Sequence, residues 1–484
     1  MKLNRLFNGA PELDVKDLVT DSRNPMKHAV FYCLKGMVND GHRFVNQAIE
    51  NGAIVIVHSD EIVYQENITY IKVNDVLEEL NRSAAIFFNK PHQKLNMIGV
   101  TGTNGKSTIT KTIKEIYNHF EPCGYSGTIS IEFGDVCEKP DYTTDETVPT
   151  LKLLKRMLKA KMKAVCMEVS SQGLDQRRVD ALQFDVAIFT NLTHDHLDYH
   201  GNFESYYLAK KRLFSLIKSK GCAIINVDDP YGARLYNEVN QRKYSYSIEH
   251  EADYQAKDLI IKASQTQFTL VVLNQSYPIV TNFVSSFNIS NLLATIAALH
   301  QSGFSIEQII PLLKSLPQVE GRMEVIQEGQ SFDVIVDYAH TPDGFEKIFA
   351  FAKSITDANN KIISVFGSAG KRDRKKRPIL GGIADKYSQM IILTEEDPRN
   401  ESALEIAQEI AEGIHHANHI IVLDRYDAIQ QALELANKND TVLILAKGNE
   451  RYITRQFGKE VWMGDDVATK EILRKSIVDK EHQL

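Results

Sequence analysis

The sequence predicts an α/β protein of three units, with a parallel-sheet central unit and a Rossmann-like last one. Three observations carry this. The chain has 484 residues, and at roughly 100–200 residues per domain that length gives about three domains. Short apolar runs of strand length alternate with helix-length segments along most of the chain. A glycine-rich loop, Gly102 to Ser107, follows one such run and opens a helix-like segment, the strand–loop–helix order of α/β folds.

The first unit, residues 1–91, holds the apolar segments Ala29-Val30-Phe31-Tyr32 and Ala53 to Val57, with a turn-rich stretch from Lys35 to His42 between them. The second, residues 92–320, opens with the short buried strand Leu95 to Val100. Its further strands are predicted at Ala164 to Met167, Val186 to Phe189 and Cys222 to Asn226. Apolar runs of this length, spaced by helices, read as a parallel sheet. The third, residues 321–484, carries strands at Val334 to Val336, Ile362 to Phe366, Met390 to Leu393, Ile420 to Leu423 and Thr441 to Leu445. That pattern is a doubly wound unit. No internal repeat or low-complexity tract interrupts it.

Composition excludes several classes. Apolar residues make up 43% and charged residues 25%, too apolar for a disordered chain. The net charge of −7 argues against an extended nucleic-acid footprint. Cys33, Cys123, Cys137, Cys166 and Cys222 are odd in number, widely spaced and without a CxxC, so neither a disulfide framework nor a structural zinc site is expected. The start lacks the long apolar core of a signal peptide, and no run of ~18 apolar residues appears. A cytoplasmic protein without membrane insertion is expected.

The strongest motif is Gly102-Thr103-Asn104-Gly105-Lys106-Ser107-Thr108, a GxxGK[ST] variant of the phosphate loop. A strict GxxxxGK[ST] wants its first glycine at Val100, and Gly99 lies one residue early. Glycines let the backbone wrap phosphate oxygens. The following helix N-terminus adds free amides and its dipole. Lys106 brings a cation to the β- and γ-phosphates, and Ser107 is placed to touch Mg²⁺. The motif predicts ATP or GTP binding but names no reaction.

The wider stretch GVTGTNGKST is followed in order by further motifs. Asp21-Ser22-Arg23 precedes it. After it come Thr143-Thr144, Glu168-Val169-Ser170-Ser171-Gln172-Gly173-Leu174, Asn191 to Gly201 with its His194-Asp195-His196-Leu197-Asp198 core, and Ala209-Lys210. Then follow Phe287 to Asn291, Glu320-Gly321-Arg322-Met323-Glu324, Asp337-Tyr338-Ala339-His340 and Phe366 to Gly370. This series resembles the Mur ligase family over essentially the whole chain, and the DSR and EVSS elements favour its MurE branch. The resemblance implies an ATP-dependent ligase of peptidoglycan precursor synthesis. ATP would phosphorylate the free carboxylate of UDP-MurNAc-L-Ala-D-Glu, and the amine of an incoming diamino acid would attack the acyl phosphate.

The resemblance also assigns roles. For ATP it points to the phosphate loop with Asn291, Arg322, Asp337 and His340. For Mg²⁺, at two sites, it points to Ser107, Glu168 and His196, with Lys210 carrying a CO₂-derived carbamate. Read from residues alone, Lys210 is one surface lysine of an amphipathic helix from Tyr206 to Ile217, and Glu168 lies just past its strand. His194 and His200 read as loop structure. For the UDP-sugar peptide the resemblance points to Ser22, Thr143, Thr144, Ser170, Gln176 and Arg178. Hydroxyls and a guanidinium suit phosphate and carboxylate. In the basic run Lys371 to Arg377 the resemblance sets Arg372 against the amino acid's carboxylate, and the other members read as a solvated helix start. Glu396, Asp397, Arg399 and Glu450 complete the amino-acid set. The third unit must swing toward the second to bring amine and acyl phosphate together, and a monomer is expected.

The chain departs from the family pattern in places. Gln172 stands for a usual His, and Lys371 for a common Asp. Glu396-Asp397-Pro398-Arg399 stands for D-N-P-R, and Ala446-Lys447-Gly448-Asn449-Glu450 for G-K-G-H-E. Arg399 suits the distal carboxylate of meso-diaminopimelate, whereas Asp397 and Glu396 suit the bare ammonium of L-lysine. Diaminopimelate is favoured because Arg is the more discriminating group. The alternatives are another Mur-type ligase or paralogue with a different acceptor, a folylpolyglutamate synthase-like enzyme, a weakened scaffold paralogue and a P-loop switch. A folylpolyglutamate synthase-like enzyme would lack the DSR unit, and a switch leaves the DYAH, EGRME and HDHLD elements without a role.

Overall fold

The computed structural model describes residues 1–36, 39–262 and 265–481. Three sheets organise it. In the first, four parallel strands lie in chain order: Asp17–Val19, Ala29–Tyr32, Ala53–His58 and Thr69–Lys72. The helix Val76–Phe87 follows. It starts where the Asp75 side chain accepts from the Glu78 amide, an N-cap that satisfies one orphan donor. Its buried face, with Leu80 and Ala84, shares one apolar core with Leu151, Leu154 and Met157 of the central unit. Burial of that seam at roughly 25 cal/mol per Å² fixes the first unit on the second. Polar pins back it up: Thr147 Oγ1 donates to Asn81 Oδ1 at 2.6 Å, and Arg177 pairs with Asp75 at 2.6 Å.

The central sheet has eleven strands. Its middle is parallel, with Asn96–Thr101 between Phe184–Phe189 and Ala164–Glu168. All three are buried on both faces, which explains their near-continuous apolar sequence. The parallel sheet expected from the sequence is extended at both edges by antiparallel strands. Tyr254–Ile261, Thr266–Val272 and Gln275–Thr281 pair antiparallel, as do Cys123–Ser126, Ile131–Phe133 and Val136–Glu138. Hairpin strands with one wet face alternate and therefore carry no apolar run.

The third sheet orders Glu324–Ile326, Asp333–Asp337, Thr441–Leu445, Ile362–Phe366, Met390–Leu393 and Asn418–Ile421. All pairs are parallel but the first. The last strand begins and ends two residues before the predicted Ile420 to Leu423. It is an edge strand, and its outer side lacks the burial that makes a sequence pattern sharp. A separate hairpin, Tyr452–Arg455 with Gly458–Val461, projects from this unit. Among the described residues no helix is long and apolar enough to cross a membrane.

Candidate active site

Strand ends, not loops alone, build the site. Thr101 closes the central strand, the loop turns at Gly102 and Gly105, and the helix Lys106–Tyr117 begins. Gly102 has φ +153° and Gly105 φ +89°. A Cβ on Gly102 would lie 1.8 Å from Thr190 Oγ1, and one on Gly105 would lie 2.4 Å from Asn291 Oδ1. Only glycine fits there. Neighbouring loops brace the turn. Asn191 Oδ1 accepts from the Asn104 amide at 2.9 Å, and Thr190 Oγ1 donates to the Asn104 carbonyl at 2.6 Å. Thr103 Oγ1 bonds Tyr206 at 3.1 Å, and Thr108 is buried in the helix's first turn. Lys106 Nζ donates to the Gly102 and Thr103 carbonyls. Burial lowers its pKa from the ordinary lysine value.

Around this loop a cleft of about 1070 Å³ gathers side chains from the second and third units. Glu168 is the last residue of its strand rather than one past it, and is fully buried. It accepts from Tyr125 at 2.7 Å and from the Thr128 amide at 3.0 Å through Oε1, and from Thr128 Oγ1 at 3.1 Å through Oε2. His196 has φ +52°, a strained backbone that over-determined sites retain. Burial lowers its pKa to about 4, so the ring is a neutral donor at pH 7. Asp195 sits 3.3 Å from His196 and 3.8 Å from His340. Burial raises the Asp195 pKa, but the neighbouring His340, His196 and Lys376 outweigh that and hold it well below the usual carboxylate range.

Lys210 corrects the surface reading. The helix runs Phe203–Ser215 and turns Lys210 inward at 1% exposure, while Lys211 faces Glu238 at 2.8 Å. Burial, with Lys106 nearby, lowers the Lys210 pKa well below the ordinary value. Its amine lies 4.4 Å from the Tyr206 ring centre. Burial thus favours the unprotonated amine, the form that adds to CO₂. Ser107, Glu168, His196 and Lys210 all line the cleft. A hydroxyl, a carboxylate and a lysine carbamate would offer oxygen ligands, which suit Mg²⁺, an ion that keeps waters and leans on substrate phosphates.

A hydroxyl–guanidinium network adjoins Glu168. Thr144 Oγ1 donates to the Glu168 carbonyl and accepts from the Ser170 amide, both at 2.9 Å. Thr143 Oγ1 lies 3.0 Å from Thr128 Oγ1. Arg178 donates to the Thr144 carbonyl at 2.8 Å and to Gln176 Oε1 at 2.7 Å. Ser22 lies apart in the first unit, where it donates to Gln47 at 2.7 Å. Of these residues, Thr143, Thr144, Ser170 and Arg178 line the cleft; Ser22 and Gln176 do not.

The third unit supplies the opposite wall. Asp337 ends the strand Asp333–Asp337 and accepts from the Met323 and Ala339 amides, both at 2.6 Å; burial raises its pKa. Arg322 stacks on Tyr338 at 4.2 Å. Arg372, Glu396, Arg399 and Glu450 line the wall with Asp397. Asp397 accepts from Lys447 Nζ at 2.7 Å, the Thr454 amide at 2.9 Å and Thr454 Oγ1 at 3.0 Å. Lys447 also donates to Glu450 at 2.6 Å. Burial raises the pKa of Glu396. Arg399 has φ +56° and Ala446 φ +82°, and no carboxylate pairs with the Arg399 guanidinium among the described residues.

Several participants went unrecognised in the sequence. Asp343 accepts from Asn104 at 2.9 Å across the two units, and Asp373 meets His194 at 2.7 Å. Lys376 donates to the His340 carbonyl at 2.9 Å. His200 is buried with Nε2 3.0 Å from Ser171 Oγ. The solvated-helix reading of the basic run is corrected at Lys376 and Arg377, both buried. Arg377 donates to Glu401 at 2.9 Å and Glu409 at 2.7 Å.

Three family models match stretches of the chain. Mur ligase family, catalytic domain, matches residues 14–90; the Mur ligase middle domain matches 100–299; Mur ligase, glutamate ligase domain, matches 321–448. A Clostridium tetani protein named UDP-N-acetylmuramoyl-L-alanyl-D-glutamate--2,6-diaminopimelate ligase is 39% identical over 454 residues, 92% of each chain. One of the same name from Fusobacterium nucleatum is 37% identical over 468 residues, 95% of this chain and 94% of the other. A solved structure of a ligase with that name superposes with TM-score 0.71 at 28% identity, covering 98% and 99% of the two chains. MurF ligase from Thermotoga maritima in complex with ADP shares the fold, with TM-score 0.65 at 17% identity over 96% and 99%.

Proposed function

The chain belongs to the Mur ligase family, and we propose that within it this ATP-dependent ligase joins meso-diaminopimelate to UDP-MurNAc-L-Ala-D-Glu in peptidoglycan precursor synthesis, in the cytoplasm. The observation that carries the choice of amino acid is the state of Asp397. The Lys447 ammonium already pairs with its carboxylate at 2.7 Å, so its charge is met by a cation of the chain itself and not left for a lysine ammonium. Arg399 faces the same cleft with its fork available for a carboxylate, the group that diaminopimelate has and lysine lacks.

The chemistry proceeds in two steps. The carboxylate of D-Glu attacks the γ-phosphorus of ATP, a P–O bond forms, and ADP leaves. The amine of diaminopimelate then attacks the acyl carbon, the C–N bond forms, phosphate leaves and the amine's proton passes to solvent or a nearby base. Both reactants of the first step are anions, so alignment and neutralisation are the main tasks. Lys106, the loop amides and the helix N-terminus hold the phosphates. Asn291, Arg322, Asp337 and His340 frame the nucleotide. Ser22, Thr143, Thr144, Ser170, Gln176 and Arg178 hold the UDP-sugar dipeptide. Arg372, Glu396, Arg399 and Glu450 orient the diaminopimelate. Mg²⁺, when bound through Ser107, Glu168, His196 and a Lys210 carbamate, supplies the charge neutralisation.

Phosphate release by the purified enzyme tests this, with ATP, Mg²⁺ and UDP-MurNAc-L-Ala-D-Glu and each amino acid offered separately. Release with meso-diaminopimelate and not with L-lysine is expected. Release with lysine alone overturns the reading of Arg399.

A further inference from the structure

Arg425 lies outside every predicted motif, yet it is one of the largest fully buried side chains in the molecule. It opens the helix Arg425–Leu435. Its NH1 donates to the Glu395 carbonyl at 2.9 Å, and its NH2 to the Leu445 carbonyl at 2.7 Å. Nε and NH2 grip the two oxygens of Asp465, both at 2.7 Å. Neither side chain of the pair is exposed. The two carbonyls are informative. Glu395 immediately precedes Glu396-Asp397-Pro398-Arg399, and Leu445 immediately precedes Ala446 to Glu450. Asp465 reaches the second loop again, because its amide donates to the Gly448 carbonyl at 2.9 Å.

The strands that feed these loops, Met390–Leu393 and Thr441–Leu445, are not neighbours. Ile362–Phe366 lies between them, so their own strands do not pair to set one loop against the other; toward the loop tips the Lys447–Asp397 pair and the bond from the Arg399 amide to the Thr454 carbonyl join them. Arg425 spans that gap. We infer that Arg425, held by Asp465, is a positioning residue that sets the spacing of the two loops forming the amino-acid pocket. This rests on the reading of that pocket given above. A guanidinium suits the task because its planar fork serves a carboxylate and two carbonyls at once. Stability alone does not require it, since a buried ion pair is often replaced by apolar residues without loss. An apolar pair cannot hold the two carbonyls.

The test is the double variant R425M/D465L, measured beside R399A and R425K. The double variant removes both charges together and so avoids a lone buried ion. It is expected to unfold cooperatively a few degrees below the wild type, because two buried carbonyls lose a donor, with KM for meso-diaminopimelate raised about tenfold, the scale of a sub-ångström misplacement. KM for ATP and for UDP-MurNAc-L-Ala-D-Glu stay within about twofold. R425K, which keeps the charge but cannot reach both carbonyls, shows a smaller rise. A folded double variant with the wild-type KM for diaminopimelate overturns the inference. So does a loss of kcat with every KM unchanged, the mark of less folded enzyme. If the double variant does not fold, R425K decides by the same KM criterion. R399A separates the two readings: a raised KM there beside an unchanged double variant leaves the pocket standing without its clamp, whereas an unchanged R399A removes the pocket itself.

Discussion

The two walls of the cleft are built by different means. The phosphate wall is backbone: Gly102 and Gly105 at positive φ, loop amides, and a helix start braced by Thr190 and Asn191. The amino-acid wall is side chain on side chain, with Lys447 between Asp397 and Glu450, Arg377 on Glu401 and Glu409, and Arg425 on Asp465. Triphosphate is the same in every ATP-using reaction, so a fixed backbone cradle serves. An amino acid must be chosen among similar molecules. Choice needs charges placed at fixed distances, and those charges must in turn be held by other charges.

If that contrast is right, the largest effect comes from unpairing the amino-acid wall. Lys447→Met leaves Asp397 and Glu450 facing each other in a buried site. A loss of about 3–5 kcal/mol in the unfolding of the third unit is expected, read by denaturant titration. An unchanged midpoint would show that the wall does not depend on its ion pairs. Gly102→Ala breaks the other wall. Its Cβ would press on Thr190 Oγ1, the turn must shift, and ATP-dependent phosphate release is expected to fall about 100-fold. Unfolding of the third unit should be unmoved. A variant that keeps wild-type KM for ATP would sink the backbone account.

Acid separates the walls as well. Hydrogen bonds from Arg377 and Arg374 hold Glu401 and Glu409 below the ordinary glutamate value of 4.5. A depressed folded value contributes stability above the unfolded value. That stability is lost as pH falls through the folded value, because protonation removes the pairing. Melting of the third unit is therefore expected to drop by a few degrees below about pH 4.5, at roughly 2–4 °C per kcal/mol. Arg377→Met should flatten that drop. A slope unchanged by Arg377→Met would disconnect these pairs from stability.

The same contrast decided what the sequence made legible. The phosphate wall is contiguous, so Gly102 to Thr108 could be read with its strand and helix. The buried strands of the sheets could be read for the same reason. Lys210 was legible as a motif but not as a buried amine, because burial is a property of what packs on the helix. Asp343, Asp373, Lys376 and Arg425 act across distances of tens to hundreds of residues, and no local pattern marks them. The hairpin from Thr266 to Thr281 escaped for a different reason. Its turn is Leu273-Asn274, both at positive φ, without the glycine that signals such turns, and Pro278 reads against a strand except at an edge. Gln275–Thr281 is such an edge.

The smallest effect concerns a departure that the sequence did show. Ala446 stands where related ligases usually carry glycine, and its φ is +82°. An alanine there strains the backbone by about 1–2 kcal/mol. The residue cannot relax, because its amide donates to the Asp337 carbonyl at 3.1 Å and Arg425 holds the carbonyl before it. The strain is thus imposed by the amino-acid wall on its own loop. Ala446→Gly should relieve it, offset by the extra chain entropy glycine loses on folding. A net gain of about 0.5–1 kcal/mol in stability is expected. KM for diaminopimelate should not change, because the clamps and not Ala446 set the loop's position. Loss of stability in Ala446→Gly would mean that the alanine methyl packs usefully at that angle. A changed KM would mean that the loop's position depends on its own backbone, as the phosphate wall does, and the contrast between the two walls would narrow.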